Sequence, residues 1–193
     1  MLGQAALESA MGVSDPALGA HAARVSANAQ AVAIRLGWDE ERRAALRLGA
    51  VLHDVGKVNV RAEVLGKPGE LDEAELAEVR AHPVEGLWLI LGVRAFEPAL
   101  PYVLFHHERW DGLGYPTGRA GSAIPLEGRM LAVADAFDAM TSLRPYRRTL
   151  SAAEAADEIR RCVGTQFDPE IAEAFLATLA AGEITSNAPA VAA

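Results

Sequence analysis

The chain of 193 residues contains one cysteine, Cys162, so no disulfide can form within it, and in a helical context that thiol is expected to be a small buried hydrophobe. Basic residues are also scarce. Eighteen Lys and Arg stand against 26 Asp and Glu, for a net charge of −8 and a pI near 5.1, which excludes a basic nucleic-acid-binding domain, so no DNA partner is expected. No long hydrophobic run is present: the strongest, residues 87–91, falls far short of the ~20 residues that a membrane span needs. Residues 1–12 lack the basic start and apolar block of a signal peptide. The expectation is a soluble, cytoplasmic protein. Strand-like alternation and solenoid-type repeats are missing too, which removes sheet and repeat architectures.

What remains is an ordinary globular composition, 51% apolar and 23% charged with a mean hydropathy of +0.11, sufficient for one full core. Helical punctuation recurs along it. Asp15-Pro16 opens a helix that Gly37 stops, and Asp39, followed by Glu40 and Glu41, opens a second that Gly56 ends. Residues 58–70 read as loop. A third helical stretch starts at Leu71-Asp72, and Pro83 predicts a kink or break after His82. Further helices are predicted over 98–107, 126–140, 151–162 and 168–179, with a glycine-rich loop over 111–121 whose length suggests function. The predicted fold is all-α: a single domain of about six to eight helices over residues 15–181, with an N-terminal extension (1–14) and a flexible tail (182–193).

The chain has five histidines, and none lies in an isolated polar stretch. His53-Asp54 and His106-His107 are adjacent pairs that can face one metal or bridge two. Asp135 lies in the apolar run 130–137, where a carboxylate is costly to bury without a positive partner. Taken singly, each has an ordinary reading. His53-Asp54 suits a capped helix end, His82 before Pro83 a surface histidine, His21 a core residue, and Asp135 an ion pair with Arg129 or Arg144. One metal site accounts for them together, and nitrogen and oxygen donors without thiolates favour Mn or Fe over a structural zinc site.

Several motifs carry a resemblance. They are Val51-Leu-His-Asp-Val-Gly-Lys57, Lys67-Pro-Gly69, His82-Pro83, His106-His-Glu-Arg-Trp-Asp-Gly-Leu-Gly-Tyr-Pro116, Ile124-Pro-Leu126, Val133-Ala-Asp-Ala-Phe-Asp138 and Arg144-Pro-Tyr-Arg147. The chain resembles, over about residues 15–180, the HD-GYP family of HD-superfamily phosphodiesterases. That resemblance implies an all-helical fold and hydrolysis of the bacterial second messenger cyclic di-GMP to linear pGpG and GMP. It implies two divalent metals, held by His53, His82, His106, His107 and Asp135, with Asp54 as bridge and His21 at an outer position. It gives Lys57 the scissile phosphate, Arg144 and Arg147 the substrate's phosphates, and Gly112, Gly114, Tyr115 and Pro116 the loop that names the family.

In such an enzyme two cations ~3.5–4 Å apart share a bridging water and present hydroxide to phosphorus. Asp138 would assist proton transfer or form a surface salt bridge. The negative net charge requires local attraction of the substrate by the metals, Lys57 and the basic residues 144–148. Two other readings stay open: a catalytically weak nucleotide-binding module that docks signalling proteins on the Gly-Tyr-Pro loop, and a phosphohydrolase of another nucleotide. One departure concerns metal number. Members with three metals carry a glutamate four residues before the helix-one histidine, and here that position is Ala17, leaving Glu108 as the alternative carboxylate.

Overall fold

A computed structural model describes residues 16–142 and 148–186, with side chains from residue 18 onward. Helices α1 (Pro16–Arg35), α2 (Glu40–Leu52), α3 (Ala62–Leu65), α4 (Glu73–Arg80), α5 (His82–Ile90), α6 (Leu100–Phe105), α7 (Leu126–Thr141), α8 (Ala152–Arg161) and α9 (Pro169–Ala180) follow in order. Short 3-10 turns lie at Val55–Asn59, Arg94–Ala99 and Gly121–Ala123. Among the described residues there is no strand, only an isolated bridge between Val163 and Phe167. Setting aside the four-residue α3, the eight helices among the described residues match the expected all-α fold. No helix among the described residues is long and apolar enough to cross a membrane.

The expected caps set the helix starts. Asp39 accepts a hydrogen bond from the Arg42 backbone N–H, and Asp72 with Glu75 and Ser151 with Glu154 form reciprocal capping boxes. Asp168 caps α9, with Pro169 at its first position. The stops differ from expectation. Helix α2 ends at Leu52 rather than Gly56, and the chain continues as the 3-10 turn. The stretch 58–70, read as loop, holds the end of that turn and α3. The break near Pro83 falls at Ala81, which places His82 and Pro83 in the first turn of α5, where proline's missing N–H costs nothing. Residues 94–99 wind as a 3-10 turn before α6, so the 98–107 helix begins later and ends at Phe105.

Helix α7 is apolar on most of its circumference and is the buried axis of the domain. Around it pack Val25, Ala29, Val32 and Ala33 of α1, Leu46 and Ala50 of α2, Ile159 of α8 and Phe175 of α9. Phe137 and Phe175 meet with ring centroids 5.1 Å apart, and each contributes about 1.5–3 kcal/mol through burial. A smaller cluster of Leu52, Val55, Ile90, Ala99 and Val103 lies beneath the 3-10 turn. Cys162 is only partly buried, against the edge of the main core, because it follows the C-terminus of α8 rather than facing inward. Residues 182–186, expected as free tail, are tied down: Ile184 is buried, and the Asn28 amide exchanges two hydrogen bonds with the Thr185 backbone. The expected extension over 1–14 and the rest of the tail lie outside the described residues.

Two glycines let the 3-10 turn press against α5. A Cβ at Gly56 would stand 2.0 Å from the His82 carbonyl oxygen and 2.5 Å from the Gly86 nitrogen. Both obstacles are backbone and cannot yield. Gly56→Ala is therefore expected to destabilise the fold by about 1–3 kcal/mol. Chemical denaturation should show a lower midpoint, and an unchanged midpoint would contradict the close approach.

Candidate metal centre

Three histidines occupy one kind of position, at or just beyond the end of a helix, and each turns back on that helix. His53 caps α2 and its Nδ1 lies 2.8 Å from the Ala50 carbonyl; His82 follows α4, with Nδ1 2.7 Å from Val79 O. His106 caps α6, with Nδ1 2.9 Å from Val103 O and 3.2 Å from Tyr102 O. Helix C-termini leave carbonyls without intrahelical partners, and a ring N–H three residues on satisfies one. Each Nδ1 therefore donates its proton, and each Nε2 presents a lone pair to the interior.

Those lone pairs converge. His82 Nε2 and His106 Nε2 are 3.2 Å apart, two acceptors facing each other with no proton between them. Asp54 Oδ1 lies 3.3 Å from His82 Nε2 and 3.8 Å from His106 Nε2, whereas its Oδ2 lies 3.4 Å from His53 Nε2 and 2.5 Å from Lys57 Nζ. One carboxylate thus faces two donor groups: Asp54, His82, His106 and His107 in the first, and His21, His53 and Asp54 in the second. Asp135 flanks the second group, with Oδ1 3.3 Å from His21 Nε2 and 3.9 Å from His53 Nε2. His53 Nε2 and Asp54 Oδ1 are buried without a hydrogen-bond partner. Orphaned acceptors of this kind are costly unless a cation takes them up. The donor set therefore fits divalent metal ions.

Electrostatics separate the two groups. Burial, reinforced by neighbouring imidazoles, pushes His106 well below the ordinary histidine range, and burial lowers His107 to about 4. For His21, burial opposes the charge, but hydrogen bonds to Asp135 and Asp138 outweigh it and raise the pKa to about 9. His53 is likewise raised, the Asp54 and Asp135 charges overcoming its burial. At pH 7 His106 and His107 are neutral and ready to bind, whereas His21 must shed a proton. Metal binding at pH 7 is expected to release protons, chiefly from His21, and the release should disappear above about pH 9. Calorimetry of Mn binding in buffers of different ionisation enthalpy checks this, and a proton count near zero at pH 7 would refute it.

Sequence reasoning left Asp138 as a surface salt bridge or proton carrier; it is neither exposed nor free. Buried, it receives His21 Nδ1 at 2.7 Å, Arg24 Nε at 2.6 Å and Ser142 Oγ at 3.1 Å, so it holds His21 with Nε2 toward Asp135. The i, i+3 spacing from Asp135 to Asp138 on α7 was the available signal. Asp135 pairs with His21 rather than Arg129, which salt-bridges Asp168. His21 falls in the second group, with His53 and Asp54. Glu108 does not join either group. Its Oε1 accepts from the Thr117 N–H at 2.6 Å and hydroxyl at 2.7 Å, which anchors the glycine-rich loop.

In that loop Gly112 has a φ of +79°, and a Cβ at Gly114 would meet the Arg109 nitrogen at 2.4 Å. The close approach lays Tyr115 on His107, ring centroids 4.8 Å apart and 26° from parallel. A cavity of about 390 Å³ opens beside the cluster, with His106, His107, Asp135 and Tyr115 in its wall. Arg144 and Arg147 lie outside the described residues. Ala17 is the second residue of α1, and its side chain also lies outside them.

A helical domain with paired histidine and aspartate donors at helix ends defines an HD-type domain. The profile of that family, described as HD domain, matches residues 6–171, and the chain belongs to the HD domain family. The chain is 44% identical over 157 residues to the cyclic di-GMP phosphodiesterase response regulator RpfG of Xanthomonas campestris pv. campestris, covering 79% of this chain and 41% of that protein. It is 37% identical over 140 residues to the 3'3'-cGAMP-specific phosphodiesterase 1 of Vibrio cholerae, covering 72% of this chain and 32% of the relative. The chain thus spans less than half the length of these relatives. Among solved structures, the HDG"Y"P protein Bd1817 of Bdellovibrio bacteriovorus superposes with a TM-score of 0.68 at 24% identity, covering 83% of this chain and 51% of that one, a likeness of fold.

Proposed function

We propose that the domain is a metal-dependent phosphodiesterase that hydrolyses cyclic di-GMP to linear pGpG and onward to GMP. The observation that carries this reading is the division of Asp54 between two groups of inward-facing imidazoles, with a lysine on the same carboxylate. The similarity to relatives named for cyclic di-GMP and 3'3'-cGAMP hydrolysis supports the substrate class. His82, His106, His107 and Asp54 would hold one cation, and His21, His53, Asp54 and Asp135 a second, Fe or Mn by the chemistry of the donors. Such ions, when bound, supply a Lewis acid that polarises the phosphate and acidifies water.

The protein's own groups do the rest. Lys57, partly exposed beside Asp54, neutralises charge that develops on the non-bridging phosphate oxygens. Asp138 keeps the His21 ring in place, and Glu108 holds the loop that brings Tyr115 to the cavity. Arg144 and Arg147, by resemblance, clamp the substrate's phosphates. The domain works in the cytoplasm, and its Gly-Tyr-Pro loop, where Leu113 is 78% exposed, offers a docking point for signalling proteins.

Turnover of a panel of cyclic dinucleotides by Mn- or Fe-loaded protein tests the proposal. Cyclic di-GMP is expected to be the best substrate. Preference for 3'3'-cGAMP would change the substrate, and binding without turnover would favour the sensor module. Elemental analysis is expected to give two metals per chain. Three fully occupied positions would overturn the two-metal reading.

A further inference from the structure

We infer that Arg80 forms a second anion subsite of the cavity and holds the phosphodiester of the cyclic dinucleotide that is not being cut. The identity of that ligand rests on the phosphodiesterase reading above. Arg80 is the last residue of α4, where a cation complements the helix dipole while pointing into solvent. Its guanidinium lies instead over the Tyr115 ring, 5.6 Å from the centroid. Tyr115 stacks in turn on His107, so the Tyr115 ring stands between Arg80 and a member of the donor cluster, and all three residues line the same cavity.

Charge points the same way. Neighbouring arginines are committed: Arg24 to Asp138, Arg109 to Asp111 and Arg129 to Asp168. Arg80 is exposed and makes no ion pair among the described residues, although Glu73 and Glu85 share a shallow depression with it on the outer side. In a chain of net charge −8, this leaves an uncommitted guanidinium at the mouth of the metal cavity. A guanidinium held over an aromatic ring by cation–π attraction keeps its N–H donors available to phosphate oxygens. Only the Tyr115 ring stands between Arg80 and His107, which places Arg80 beside the donor cluster but outside it, where a second phosphate of a ligand bound at that cluster would be met.

The test is calorimetric binding of the bisphosphorothioate analogue of cyclic di-GMP, which resists hydrolysis, to metal-loaded protein. Arg80→Ala is expected to weaken Kd by ~10–100-fold, the worth of one charge-assisted contact, with metal content and thermal midpoint unmoved. Arg80→Lys should recover part of the loss by restoring the charge, which a purely structural role would not require. Should Arg80→Ala fail to fold, Arg80→Gln keeps the stem over Tyr115 and carries the same comparison. Equal Kd for wild type and variant overturns the subsite while leaving the functional reading intact. Arg80-dependent binding without turnover of cyclic di-GMP supports the subsite and overturns only the hydrolytic reading. No binding by wild type overturns both.

Discussion

Asp54→Asn is expected to abolish turnover of cyclic di-GMP, a loss greater than the ~10²–10³ that follows removal of a single electrostatic contact. The reason is geometric. Among the described residues Asp54 alone is common to both donor groups, with Oδ1 toward His82 and His106 and Oδ2 toward His53 and Lys57. Its carboxyl is held well below the ordinary range: burial works against ionisation, but the Lys57 ammonium and the His53 imidazole more than offset it. The amide keeps the shape and removes the charge, so the variant separates loss of folding from loss of function. Metal content should fall with activity while the circular dichroism spectrum remains helical. Wild-type turnover at equal metal loading would refute the assignment. His53→Ala should behave alike, because its Nε2 is one of the orphaned acceptors.

Lys57→Ala should lower kcat by ~10²–10³ while metal content stays at the wild-type level. The 3-10 turn Val55–Asn59 places Lys57 one tight turn after Asp54, and its Nζ reaches Oδ2 at 2.5 Å. Had α2 continued to Gly56, the α-helical period would have set Lys57 on a neighbouring face. A 3-10 turn nearly eclipses residues three apart, so the lysine and the carboxylate address the same space. Single-turnover kinetics decide the role. A raised KM with normal kcat would assign Lys57 to uniform substrate binding rather than to the transition state.

The same contrast runs through the molecule. Caps at Asp39, Asp72, Ser151 and Asp168 were legible because an N-cap depends on residues within one turn. Helix ends were less legible: Pro83 signalled the break at Ala81, but Leu52 and Phe105 carry no stop residue, and the turn after Leu52 accompanies the close approach of Gly56 to the His82 carbonyl. Those breaks are what aim the three Nε2 atoms inward.

By itself the sequence determined the all-α class, the helix starts and the inventory of histidines and carboxylates, since periodicity, caps and residue chemistry are local properties. Only the tertiary structure decided which oxygen of Asp54 faces which donors, that Asp138 orients His21 across 117 residues, that Glu108 anchors a loop instead of joining the donors, and that Arg80 lies over Tyr115. Each of these depends on distances between segments remote in the chain, which are set when α7 is buried and the other helices close around it.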